Sequence, residues 1–210
     1  MNHKLLVENL ANDLKPVQVT KYLAFKVVTL QLGVIVFLTM LMLVLNKEPV
    51  EFYFQSRWYV MGIGISVFVS SILLWGAMKL SVPGNEKSPW IKPLSYFSSV
   101  LLVSTMIGYS IEEGMSLTQD WEHWVCILPS VGFSFLAGGI YSVFLSKKLA
   151  PTEPKETLAM VMASASVIVG AFTSVYCIAS SPVHQILWHY APVIFLSLFG
   201  FQMGRKVLRW

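Results

Sequence analysis

Five stretches of this sequence carry no charged side chain, and they restrict what the chain can fold into more than any other feature. They run Val27–Asn46, Trp58–Met78, Pro93–Ile111, His123–Ser146 and Thr157–Gly204, the last of them 48 residues long. A helix crossing about 30 Å of hydrocarbon needs about 20 predominantly apolar residues. The first four stretches each suit one crossing, and the fifth holds two separated by a turn. Ser180, Ser181 and Pro182 mark that turn, because serine and proline interrupt a helix there. The reading is an all-α polytopic membrane protein with a bundle of six transmembrane helices. Composition agrees: 55% of residues are hydrophobic and 12% charged, against about 25% charged in a soluble domain.

The charges that remain are sorted by side. With a cytoplasmic N-terminus, the inner segments hold Lys4, Lys15, Lys21, Lys26, Lys79, Lys87, Lys92, Lys147, Lys148, Lys155, Arg205, Lys206 and Arg209, thirteen of the fifteen basic residues. The outer loops keep Lys47 and Arg57, beside Glu48, Glu51, Glu112, Glu113, Asp120 and Glu122. An excess of lysine and arginine on the cytoplasmic side sets membrane orientation, so both termini are expected in the cytoplasm. The pI near 9.0 is then a topology signal, and no direct nucleic-acid partner is expected. The first apolar run starts only at Val27 and is long enough to span, so it reads as a retained helix and not a cleaved leader. A multi-pass protein of a bacterial inner membrane fits this pattern.

The chain divides into a cytoplasmic N-terminal segment, residues 1–26, and a transmembrane domain, residues 27–210. Within LLVENLANDLKPV, Leu6, Leu10 and Leu14 recur every fourth residue and line one helical face. Pro16 closes that short helix, since the residue before a proline avoids the α region. About ten residues do not hold a helix alone in water; the segment needs the membrane surface, the protein's own inner face or a partner. Small residues recur at helix-contact spacing, Gly62, Ser66 and Ser70 in one span and Ser166, Gly170 and Ser174 in another, where they let backbones approach.

The only two cysteines sit at matched depth. Cys126 precedes Lys147 by 21 residues and Cys177 follows Glu156 by 21 residues, which at 1.5 Å per residue puts each about 30 Å above the inner boundary. Neighbouring antiparallel helices would bring the thiols level at the outer, oxidising face. A disulfide needs Cα atoms within about 7 Å; cysteine also serves as a small apolar filler, and the spacing leaves both open. His123, His184 and His189 lie nearby as sensor support or metal ligands. The spacings match no standard zinc motif, and on a continuous 3.6-residue helix His184 and His189 point about 140° apart, which argues against joint chelation. Tryptophans 58, 90, 121, 124 and 188 suit the membrane interfaces. No Asp, Glu, Lys or Arg sits mid-span, as ion-coupled transport usually requires, and no nucleotide, hydrolase, metalloprotease or CxxC motif is present. Enzymatic activity is not expected.

LLVENLANDLKPV and CIASSPVHQILWH together resemble the NrsF-like family of six-helix bacterial membrane anti-sigma factors. The matching positions are Asp13, Leu14, Pro16 and Val17, then Cys177, Ser181, Pro182, His184, Trp188 and His189; Ile178 departs from a proline that often follows the cysteine. The resemblance implies that the protein holds an extracytoplasmic-function sigma factor at the inner face until a signal arrives. It further implies that Cys126 and Cys177 sense oxidants or heavy metals, with no resident cofactor beyond transient metal capture at the pair. Leu6, Leu10, Asp13, Leu14, Pro16 and Val17 would bind the sigma factor, the leucines docking in a groove. Two other readings are a small transporter or channel for a thiophilic metal or small solute, which a flux assay in proteoliposomes would reveal, and a membrane thiol oxidoreductase, which the missing CxxC disfavours.

Overall fold

The computed structural model describes residues 22–45, 57–83, 89–113, 126–149, 151–175, 177 and 181–208, and all regular structure among them is helical. The helices are α1 (Leu23–Leu45), α2 (Arg57–Leu80), α3 (Ile91–Glu113), α4 (Ile127–Lys148), α5 (Pro154–Val175) and α6 (Pro182–Val207). Helices α2 to α6 are long and apolar enough to cross a membrane, and α1 contributes a shorter apolar stretch, Phe25–Leu41. Leu6, Leu10, Asp13, Leu14, Pro16, Val17 and His123 lie outside the described residues.

One helix is central. In α5, 83% of the most apolar window is buried, against 28–44% in the other four long spans. Its sequence TLAMVMASASVIVGAFTSV explains this, because small side chains let neighbouring backbones come close where no hydrophobic effect drives helices together. Helix α5 packs against α2, α4 and α6. Gly200 and Gly204 of α6 face the carbonyl oxygens of Leu158 and Pro154 so closely that a Cβ at either position would collide with them. Around this centre, Val28, Leu32, Val36 and Met40 of α1 and Val100, Val103 and Ile107 of α3 stay exposed. Such faces suit a hydrocarbon solvent.

Among the small residues at helix-contact spacing, Ser66, Ser70 and Gly170 meet neighbouring helices. Ser70 donates to the Ser164 carbonyl at 2.8 Å, and Ser164 donates back to the Ser70 carbonyl at 2.8 Å. Gln31 of α1 donates to Ser70 Oγ at 2.7 Å and accepts from the Tyr141 hydroxyl of α4 at 2.9 Å. One buried polar cluster therefore ties α1, α2, α4 and α5 together. A buried polar group is costly unless hydrogen-bonded, so these partners constrain one another's positions.

The bundle has two unlike ends. At one, Lys92 pairs with Glu156 at 2.9 Å, and the Thr152 hydroxyl donates to the Leu80 carbonyl at 3.0 Å. Lys79, Lys155, Arg205 and Lys206 belong to the same end, Lys155 lying 5.2 Å over the Phe201 ring. Cys126, Cys177 and His184 occupy the other.

Candidate functional site

Three helix ends meet at the cysteine end. Cys126 caps the start of α4, Cys177 follows the end of α5, and α6 begins at Pro182. Pro182 stands in the first turn of α6, where a missing N–H costs nothing. After one short turn, Pro182–His184, the helix widens into a π turn over Gln185–Tyr190, closed by Ala191 N–H bonding the Ile186 carbonyl, before resuming at Ala191. Pro192 gives a physical cause. It has no N–H to return to residue 188, and its ring crowds that carbonyl in a regular α-helix; a wider turn just upstream accommodates both.

The π turn corrects one expectation. Residues five apart diverge on a 3.6-residue helix, but i→i+5 bonding brings them nearly into register. His184 and His189 accordingly share a face, with ring centroids 5.5 Å apart. Gly170 on α5 makes room for this turn, since a Cβ there would sit 2.5 Å from the His189 carbonyl oxygen. Gly170→Leu should force α6 away from α5. Overpacking of this kind costs about 1–3 kcal/mol, to be read as a lower thermal midpoint in detergent, and an unchanged midpoint would mean the contact is not tight.

The matched cysteines are brought together as thiols, with Sγ atoms 3.3 Å apart. His184 Nε2 lies 3.0 Å from Cys177 Sγ. His189 Nδ1 lies 2.9 Å from Thr173 Oγ1 and 3.1 Å from Ser130 Oγ. The donor atoms of Cys126, Cys177, His184 and His189 all lie within 4.8 Å of one another. His184, His189 and Cys177 are 0, 2 and 6% exposed, while Cys126 is only partly covered. A thiol pair reachable from one side thus sits against two imidazoles sealed in the bundle.

This arrangement allows two kinds of chemistry: two adjacent thiols can be oxidised to a disulfide, and two thiolates with imidazoles can hold a thiophilic cation. Ser130 and Thr173 complete the site and were not anticipated from the sequence. Their signal was available in the helical spacing, since Ser130 lies one turn after Cys126 and Thr173 one turn before Cys177.

The family model described as NrsF, negative regulator of sigma F, matches residues 10–210. No curated protein and no solved structure matches the chain.

Proposed function

The chain belongs to the negative regulator of sigma F family, and from that premise we propose that it is a membrane anti-sigma factor controlled by its cysteine end. The match over residues 10–210 carries the reading, because it takes in residues 10–17 of the leucine-rich segment and the whole cysteine–histidine cluster. In this proposal the basic end of the bundle faces the cytoplasm of a bacterial inner membrane. Residues 1–26 hold an extracytoplasmic-function sigma factor there through Leu6, Leu10, Asp13, Leu14, Pro16 and Val17. The role is regulatory and not enzymatic.

The signal acts on Cys126 and Cys177. A two-electron oxidant of the peroxide class would take two electrons from the pair, with loss of both thiol protons, and leave a disulfide. A thiophilic metal ion would instead displace both protons and bridge the sulfurs. Either event moves α4 against α5 and the π turn. Tyr190, the residue after His189, meets Ser66 of α2 at 3.0 Å. One turn further along α2, Ser70 receives Gln31 of α1, and α1 leads into the sigma-binding segment. An apolar groove of about 460 Å³ separates α1 from α4 along Phe25–Leu38 and Phe133–Phe144, so α1 has space to shift. The signal moves this equilibrium only by its differential affinity for the two states.

Removal of residues 1–20 tests the core of the proposal. The full chain, co-expressed with the sigma factor and extracted in mild detergent, should retain it through affinity purification, and the truncated chain should lose it. Retention by the truncated chain would place the interface elsewhere.

A further inference from the structure

We propose that Cys126, Cys177, His184 and His189 form one four-coordinate site for a divalent cation of the zinc class, with both histidines as ligands. The binding itself does not depend on the anti-sigma reading; only its consequence for sigma-factor release does.

Geometry comes first. A tetrahedral Zn²⁺ bonds sulfur at about 2.3 Å and imidazole nitrogen at about 2.0–2.1 Å, so its donors stand roughly 3.3–3.8 Å apart. The two sulfurs are 3.3 Å apart, Cys177 Sγ is 3.0 Å from His184 Nε2, and all four donors fall within 4.8 Å. Side-chain rotations that change these separations by roughly 0.5–1.5 Å would seat an ion. The four residues come from the start of α4, the end of α5 and the first two turns of α6, so an ion here would clamp three helices.

His189 supplies the second, independent observation. Among the described residues its Nε2 is buried with no hydrogen-bond partner, a costly position for a polar nitrogen unless something coordinates it. Its Nδ1 faces the hydroxyls of Thr173 and Ser130. Each hydroxyl has one proton and a carbonyl one turn back to receive it: Thr173 donates to Val169 O at 2.9 Å and Ser130 to Cys126 O at 3.1 Å. With those protons so directed, both oxygens accept, Nδ1 carries the hydrogen, and Nε2 presents its lone pair to the cluster. That tautomer, assigned from the hydrogen-bond network, is the one a metal ligand requires. Fixing of the outer ring nitrogen is how metal-binding histidines are held in place.

The donor set selects the ion. Two thiolates and two imidazoles favour tetrahedral d¹⁰ cations over Mg²⁺ or Ca²⁺, which take oxygen. Binding of M²⁺ replaces the two thiol protons and releases both to solvent, so the site stays uncharged as it fills. An uncharged product suits a position at the end of a membrane bundle, where an uncompensated ion is costly.

X-ray absorption on the reduced, full-length protein in detergent, loaded with one equivalent of Zn²⁺, tests this without any substitution. The expected first shell is two sulfurs and two nitrogens, with imidazole outer-shell scattering. A shell of two sulfurs with water or carboxylate oxygens and no imidazole would overturn the proposal. Titration with Co²⁺ should give the visible bands of a tetrahedral ion with a thiolate charge-transfer band, both bleached by Zn²⁺. His189→Gln should weaken binding by at least ~100-fold and Ser130→Ala by ~10-fold, as outer-shell losses do. Unchanged affinity in His189→Gln, or no uptake by the wild-type protein, would reject the site. In either case, intact sigma-factor capture would leave the anti-sigma proposal standing.

Discussion

Cys177→Ser should silence the signal response while leaving the sigma factor bound at rest. The substitution is structurally mild. A serine hydroxyl occupies nearly the same volume as the thiol, and it still offers His184 Nε2, 3.0 Å from the sulfur, a hydrogen-bond partner. Resting capture, which the proposal assigns to the far end of the chain, should persist. What serine cannot do is form a disulfide or bind a soft cation, and Cys126 alone is one sulfur where both chemistries need two. Allosteric couplings are typically 1–3 kcal/mol, or about 5- to 150-fold. A reporter of the sigma regulon, challenged with peroxide or with Cd²⁺, should therefore show induction of that order in the wild type and about 1-fold in the variant. Cys126→Ser should match it. Full induction in either variant would remove the cysteine end from the mechanism.

The two signals separate further by way of the histidines. A disulfide needs only the sulfurs 3.3 Å apart, whereas a tetrahedral cation also needs the imidazoles. His189→Gln should accordingly leave peroxide induction close to wild type and lose the metal response. This split assigns the residues by chemistry, because a variant that merely loosened the bundle would move both responses together.

How much of this was open to reading in the sequence follows from which forces act on single residues. The spans could be placed because charge is excluded from hydrocarbon. The depth match of Cys126 and Cys177 could be counted because an α-helix rises a fixed 1.5 Å per residue. The relation between His184 and His189 could not be reached by the same counting, since it assumed an unbroken 3.6-residue helix through a stretch that Pro192 disrupts. A proline ten residues into a span is the signal that would have exposed the π turn. Ser130 and Thr173 could be placed one turn from the cysteines but not given a role: hydroxyls on membrane helices usually bond their own backbone, and only the pairing of α4 with α5 turns these two toward His189. Gln31 belongs to the same class. A single amide in α1 has no meaning until Ser70 and Tyr141 are placed around it.

Gln31→Leu should raise sigma-factor output without any signal. Gln31 is 3% exposed and bonds Ser70 of α2 at 2.7 Å and Tyr141 of α4 at 2.9 Å. These bonds add to the packing of the buried Val27, Val34 and Leu38 in holding α1 on the bundle, beside the apolar groove that lies between α1 and α4. Leucine keeps the volume and removes both bonds. Hydrogen bonds between membrane helices average about 0.6 kcal/mol and reach about 1.7, so losing two shifts the position of α1 by roughly 1–3 kcal/mol. At 1.4 kcal/mol per decade, basal reporter activity should rise about 5- to 150-fold. Because Gln31 lies far from the cysteines, metal uptake by the purified variant should equal that of the wild type, and this separates release of α1 from general unfolding. Basal activity at the wild-type level, with normal induction, would mean that the signal reaches the sigma-binding segment by a route that does not pass through α1 at Gln31.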